Sequence, residues 1–454
     1  MKSRYNKLVL GLMLLSACNP LNVDKVIDPN NPSEAGYTEN ATRQQVQFLI
    51  TGLEEKHRNY VFTSTAALGS FGREVWYLNG SDPRFTTDWL GQALKEPNSS
   101  FFGFGNTGGT VYYNPYQAIR QAELVIKSVN SAPQVTDAEK SAVIGFARTI
   151  QGYQFMLPAN LVYDNGIRID VSDPMNPGPF VPYQEAMNHV KSLLDAGYAE
   201  LNKSTGAFTF KLTAGFNGYN TIDGLKKVNR AIAARNAIYR KDWQGALDAV
   251  NASFMDLNGN LTAGPAHPYG AAPNAFNPLY YVPNANVNTM VVVHPKLITD
   301  ALPGDKRVQE KFLQRTAPVV NSTTYAVLEG MYQDKRWPNN TTAIPFIKNE
   351  ELILIKAEAH AQLNQPAESV AAINIIRTAA GLAPYAGATT TAALIDEILF
   401  QRRYSLWAEP WGHRWVDARR YDKLSEIDVS LDKGTVFKQF PHPQAELSWN
   451  EYTK

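Results

Sequence analysis

Two stretches of this 454-residue sequence concentrate side chains that could do chemistry. Residues 71–90, FGREVWYLNGSDPRFTTDWL, carry Arg73, Trp76, Tyr77, Asn79, Asp82, Arg84 and Trp89. Flat aromatic faces beside amides, carboxylates and guanidiniums suit a ligand with apolar C–H faces and a polar rim, as a sugar has. Asn277, Tyr280, Tyr281 and Trp337 repeat that composition further along. Any one of these rings could equally pack a small core beneath its own loop. The second stretch, 395–424, interleaves Arg402, Arg403, Arg414, Arg419 and Arg420 with Trp407, Glu409, Trp411, Trp415, Asp417 and Tyr421. So many guanidiniums are costly to bury unless paired, so the stretch reads as a structural ion-pair knot; an anion or nucleic-acid site is the alternative.

Signs of catalysis are missing. The sequence has no glycine-rich loop before Lys-Ser/Thr, no G-x-S-x-G and no H-E-x-x-H. The 7 histidines are scattered, so no metal or cofactor is expected. Asp256-Leu257-Asn258-Gly259-Asn260 hints at a calcium turn. Its glycine comes too early, however, and His267 stands where a closing bidentate Glu belongs, so a surface turn is expected. The two carboxylates of a glycosidase can come from anywhere in a chain, which keeps a lipid-anchored all-α glycoside hydrolase as a rival reading. A net charge of +1 offers nothing to hold a polyanion, so no nucleic-acid partner is expected.

The single cysteine excludes an intramolecular disulfide. It follows a basic start (Lys2, Arg4, Lys7), an apolar run over 8–15 and small residues, which is a signal-peptide pattern. Leu15-Ser16-Ala17-Cys18 resembles a bacterial lipobox. The expectation is removal of 1–17 and acylation of Cys18, palmitate included, at ~0.8 kcal/mol of anchoring per buried CH₂; an ordinary signal peptide is the alternative. Residues 18–33, with Pro29 and Pro32, read as a polar tether. No other stretch approaches the ~20 apolar residues of a membrane helix.

The elements that must position these residues are mostly helices. Apolar spacing predicts them over about 42–62, 115–161, 182–254 and 349–424, with Asn349 as an N-cap, Gly381 as a C-terminal stop and a stop at Glu409-Pro410. Ala234 to Ala246 and Ala357 to Ser369 share a spacing around a short turn, the tetratricopeptide pattern; an ordinary helical hairpin is the alternative. The glycine-rich 64–114 and the proline-rich 255–348 read as long irregular excursions, and long excursions are usually functional or disordered. The expected fold is thus all-α for the most part: one domain over 34–454, a repeat scaffold carrying aromatic-lined loops.

A family resemblance joins these pieces. Arg402, Arg403, Leu406, Glu409, Gly412, Arg414, Trp415, Asp417, Arg419 and Arg420 resemble the C-terminal block E-R-R-x-E-L-x-F-E-G-x-R-W-x-D-L-R-R of the SusD/RagB family of nutrient-uptake outer-membrane lipoproteins. Gln401, Ser405, Ala408 and Ala418 depart from it, and Pro410-Trp411 look inserted. Asn114-Pro115-Tyr116 with Ile119, Lys356-Ala357-Glu358-Ala359, Asn374 to Leu382, and Phe440-Pro441-His442-Pro443 with Glu446 and Asn450 resemble further family segments in the family's order. The resemblance implies that the arginine block is structural and that ligands sit on loop-borne residues. By it, the protein is expected to be a non-catalytic, lipid-anchored and surface-exposed outer-membrane capturer of oligosaccharide that serves a SusC-like TonB-dependent transporter. Some members of the family take peptides instead. The expected ligand-binding residues are Arg73, Trp76, Tyr77, Asn79, Trp89, Tyr280, Tyr281 and Trp337.

Overall fold

A computed structural model describes residues 34–93, 109–173 and 176–452. The leader, Cys18, the tether and the glycines Gly103, Gly105 and Gly108 lie outside the described residues. Among the described residues no helix is long and apolar enough to cross a membrane.

The chain opens with α1 (Ala35–Thr38), α2 (Arg43–His57) and α3 (Val61–Phe71), then strand β1 (Val75–Asn79) and the short α4 (Arg84–Thr87). The scaffold continues with α5 (Gly109–Ser131), α6 (Asp137–Val162), the β2/β3 ribbon (Ile167–Arg168, Phe180–Val181), α7 (Tyr183–Leu201), α8 (Ile222–Arg240) and α9 (Trp243–Asn251). The second excursion holds β4 (Ala266–His267), β5 (Thr289–Val293), α10 (Lys296–Thr299), α11 (Lys306–Lys311), β6 (Phe312–Ser322), β7 (Val327–Asp334) and β8 (Ile344–Pro345). Helices α12 (Asn349–Gln362), α13 (Pro366–Ala379), α14 (Thr391–Ser405), α15 (His413–Arg420) and α16 (Gln444–Tyr452) complete the chain.

Local sequence explains the helix starts. Thr42 with Gln45 and Thr136 with Glu139 form capping boxes that satisfy the first free N–H groups of α2 and α6. Thr221, Asp242 and Thr390 cap α8, α9 and α14 through their side chains. Each helix then packs on a chain neighbour: α5 on α2 and α6, α6 on α7, α7 on α8, α8 on α9, and α12 on α13. Such stacking of antiparallel pairs is what a helical repeat requires. Where α6 meets α7 the backbones nearly touch: a Cβ on Gly145 would come 2.7 Å from the Gly197 carbonyl.

The stack does not stop at the second excursion, because α9 packs directly on α12. Helix α12 is buried on nearly every side, its charged Glu351 and Glu358 included, which suits an element covered all round. Leu352, Ile355 and Ala359 face the main core, while Ile353, Leu354, Ala357 and Ala361 face a second core with α13 and α14. The bidentate pair of Arg235 with Glu351 (Nε–Oε1 2.6 Å, Nη2–Oε2 2.5 Å) bolts α8 to α12, with both side chains inaccessible and the guanidinium 4.1 Å from the Trp411 ring centre.

The excursions hold more regular structure than their composition suggests. Helix α3 runs on to Phe71, and the two excursions meet in one antiparallel sheet of order β1-β5-β7-β6, with Trp76 opposite Val292. Three boundaries also differ from the sequence expectation. Helix α14 ends at Ser405, ahead of Glu409-Pro410, where the chain turns through left-handed Ala408 (φ 48°) and Gly412 (φ 67°). Helix α15 ends at Arg420. Lys348, whose side chain makes no capping bond, occupies the N-cap of α12, and Asn349 is engaged elsewhere, bonding both the N–H and the carbonyl of Asp256. Asp256 itself closes a short turn on the Asn258 N–H.

Removing one partner of a buried pair strands the other charge. Arg235→Met is expected to lower unfolding free energy by about 3–5 kcal/mol, read from urea melts, and the double substitution with Glu351→Gln to recover part of that loss.

Candidate functional site

The structure divides the expected ligand residues into two groups. The five from the first excursion are buried. Arg73 (1% exposed) forms a bidentate pair with Asp432 at 2.9–3.0 Å and donates to the Leu90 carbonyl, so it staples the strand-helix excursion to the C-terminal tail. Trp76 (2% exposed) lies under the sheet with Leu78, Met290, Val292 and Leu328, and its ring meets His294 edge-on at 4.8 Å. Tyr77 stacks on Trp89 (5.4 Å), and both pack against Phe85. Asn79 accepts from the Ser81 and Asp82 N–H groups and so forms the turn after β1. As the chain is folded, none of these five presents a face to solvent. Rings at successive positions of a strand covered on both sides become core.

Tyr280, Tyr281 and Trp337 are half-buried, and the fold brings their loops together. Asn277 does this work: its N–H donates to the Asn340 carbonyl (2.7 Å), its amide to the Thr342 carbonyl (2.8 Å), and its side-chain oxygen accepts from Leu279 (2.8 Å). The Tyr281 hydroxyl accepts from the Val291 N–H at 3.3 Å, and burial pushes its pKa up to about 12. Gln333 and Arg315 tie residues 281–285 to the sheet. Arg336, paired with Asp334 at 2.7 Å, lies over Trp337 (4.9 Å).

This clamped loop carries side chains that the sequence reading passed over. Phe276 (53% exposed) and Val282 (57%) stand on it, and Tyr325 (47%) stands at the tip of the β6–β7 hairpin. Arg58, in the turn between α2 and α3, donates to the Pro268 carbonyl at 2.8 Å and lies over the Tyr269 ring. On the other side of that turn a cleft of about 690 Å³ is lined by Tyr113, Asn114, Tyr116, Gln117 and Gln121. The Asn114 amide holds the Asn59 carbonyl at 2.8 Å, so cleft and loop flank one turn. The signal in the sequence was the Tyr112-Tyr113-Asn114 cluster and the Asn-rich 274–288, both obscured by richer tryptophan content elsewhere.

Under this face lies a buried polar network. The Tyr60 hydroxyl bonds the Tyr153 hydroxyl and His267 Nε2, while the Gln154 amide donates to His57 Nδ1 at 2.6 Å. Burial lowers the His57 pKa to about 3 and holds His267 well below the usual range. Neither side chain reaches solvent, so the network supports the loops rather than reacting.

One cluster among the described residues has metal-ligand geometry: Glu351, Glu409 and His413, with ligating atoms within 4.8 Å. Arg235 already neutralises Glu351, Lys348 holds Glu409 at 2.5 Å, and Arg402 lies 3.3 Å from His413 Nδ1. A divalent ion would have to displace all three cations, so these residues fit an ion-pair network and not a metal.

Comparison with known proteins now bears on the fold. Residues 314–453 match the model of the SusD family. Among solved structures, a SusD superfamily protein from Bacteroides vulgatus is 16% identical with a TM-score of 0.65, over 89% of this chain and 97% of that one. A SusD-like carbohydrate binding protein from the same species is 18% identical with a TM-score of 0.60, over 82% of each chain. Surface glycan-binding protein A from Bacteroides uniformis is 14% identical with a TM-score of 0.64, over 89% and 97%. No curated protein matches the chain.

Because the His57 pKa is lower in the folded chain than its ordinary 6.5, the folded state binds fewer protons. The stability this gives is complete above pH 6.5 and is lost as pH falls towards 3. The melting temperature is therefore expected to fall over that window, and His57→Gln to flatten the fall.

Proposed function

Since the chain belongs to the SusD/RagB family, we propose that it captures oligosaccharide at the outer-membrane surface and passes it, unbroken, to a SusC-like TonB-dependent transporter. The observation that carries this reading is the clamped loop face. Phe276, Val282 and Tyr325 are exposed on segments fixed by Asn277, Gln333 and Arg315, with the amides of the neighbouring cleft across the Arg58–Asn59 turn. Apolar rings pack on the C–H faces of a sugar, and amides bond its hydroxyls. Loops fixed in advance lose little entropy when a ligand arrives. The named carbohydrate-binding and glycan-binding relatives of the same fold support a glycan over a peptide.

Tyr280, Tyr281 and Trp337 join this face in the proposal, as edges. Arg73, Trp76, Tyr77, Asn79 and Trp89 support it from below. Anchoring through acylated Cys18 is part of the same reading.

A glycan and peptide screen on protein starting after Cys18, with mass spectrometry of the products, tests it. Saturable binding of intact oligosaccharide is expected, with Phe276→Ala or Tyr113→Ala weakening it about tenfold at unchanged melting temperature. Trp76→Ala is expected to destabilise the sheet instead, by about 3–5 kcal/mol. Shortened products would favour the hydrolase, and binding of peptides alone the peptide-binding class. Labelling of cells with a palmitate analogue should mark the wild-type protein and not Cys18→Ser.

A further inference from the structure

The arginine-rich stretch was open to two readings, and the structure separates its members. Arg402 pairs with Asp417 at 2.5 Å, and Arg420 pairs with Asp417 at 2.7 Å and with Glu358 at 2.6 Å. Arg403 pairs with Asp300 at 3.0 Å. Arg419 has no carboxylate, but its guanidinium is sandwiched by Tyr163 (4.1 Å) and Trp415 (4.6 Å).

Arg414 has neither. Among the described residues its one hydrogen bond runs from Nη1 to the Arg73 carbonyl at 3.0 Å, with no ion pair within 4.0 Å and no ring contact. Two acids act on it from a distance: Asp300 is committed to Arg403 and Lys296, and Glu74 spends one oxygen on the Ala408 N–H while burial lifts its pKa to about 7, leaving it a weak counter-ion. Burial, and then the like charge of Arg403, depress the Arg414 pKa to about 9. Two further N–H groups of Arg403, Nε and Nη2, are buried without a partner.

Arg403 and Arg414 line one cleft of about 480 Å³ between α14, α15 and the segment 423–427. Its walls are apolar at Leu399, Phe400 and Ile427. At its rim Lys423 is shared by Asp396 (3.1 Å) and Glu426 (2.8 Å), which leaves one negative charge there, but neither carboxylate pairs with Arg403 or Arg414. Asp417, also in the lining, is committed to Arg402 and Arg420. The geometry points to a binding site in this cleft for the carboxylate of a small ligand, bonded by the Arg414 guanidinium with Arg403 beside it.

The chemistry favours a carboxylate held by a flat fork. A guanidinium presents paired N–H groups that match the two oxygens of a carboxylate, and a partly desolvated cation without a counter-ion gains most from acquiring one. The volume lies in the range of small-ligand clefts, ~300–1,000 Å³. Such a carboxylate occurs on a uronic sugar and on an acidic amino acid. The site does not rest on the glycan-capture reading, since a neutral oligosaccharide on the loop face and a carboxylate here bind or fail independently.

Isothermal titration of the folded chain with glucuronate, N-acetylglutamate and glucose tests the site. Saturable binding of at least one acid and none of glucose at the cleft is expected, weakened by added salt. Tighter binding of glucuronate would assign a sugar acid, tighter binding of N-acetylglutamate a peptide acid. Arg414→Gln should reduce the affinity about tenfold or more at unchanged melting temperature. Should that variant fail to fold, Arg403→Gln, which leaves Arg414 in place, should reduce it several-fold. No binding of either acid to the wild type, or affinities unchanged in Arg414→Gln, would overturn the proposal.

Discussion

The fold depends on closing a helical stack over a long interruption. Helices α8 and α9 lie on one side of the second excursion in sequence and α12 on the other, yet they must pack as neighbours. Hydrophobic contact alone would fix α12 weakly, because it turns apolar residues to two different cores. The Arg235–Glu351 pair removes that looseness. A bidentate bond between inaccessible groups has one good geometry, and every slipped register strands a charge in the core. Lys348 with Glu409 and Arg420 with Glu358 and Asp417 extend the restraint to α15. Burial by itself would raise the Asp417 pKa, but Arg402 and Arg420 outweigh it and hold the carboxyl below its usual range. The charges are thus present when needed, and they select an arrangement more than they add net stability.

With the stack closed, the two excursions are forced to the same side, where they finish each other. Strand β1 alone has no partner; β5 supplies one, from more than two hundred positions on. The sheet so formed has two covered faces: Val75, Tyr77, Val291 and Val293 join the main core, and Trp76, Leu78, Met290 and Val292 a smaller one. Gly330 lets β7 approach closely, since a Cβ there would lie 2.6 Å from Val292. The loop at 276–287 is then held at both ends and in its middle. This is how a proline-rich segment of irregular outline becomes a firm surface.

The sequence shows helices and their pairing because the signals are local: apolar period, capping boxes at Thr42 and Thr136, a glycine after α13. It hides the strands. Residues 75–79 are all buried and so lack alternation, and the apolar run at 289–293 is surrounded by prolines and asparagines that signal loop. The site reading failed to separate support from surface for the same reason. Tryptophans near arginine and asparagine look like a sugar platform, yet Trp76 is buried by strands more than two hundred residues away, and Trp89 packs on Tyr77 and Phe85. Phe276 lies in a segment without tryptophan or charge, where the asparagines were the one signal. The surface turn at 256–260 was legible because Asx turns are local.

The arginine block shows where legibility ends. Five guanidiniums within one stretch have the same local appearance, and the structure gives them three different fates. Arg402, Arg403 and Arg420 find acids, two of which, Asp300 and Glu358, come from outside the stretch. Arg419 finds two aromatic faces, one of them Tyr163 from the end of α6. Arg414 meets only a backbone carbonyl and an acid that burial keeps weakly charged. No spacing rule separates these cases, because each partner is delivered by packing and not by the neighbouring sequence. A motif read as a structural knot can therefore be structural in most of its members and still leave Arg414, among the described residues, without an ion pair at the wall of a cleft.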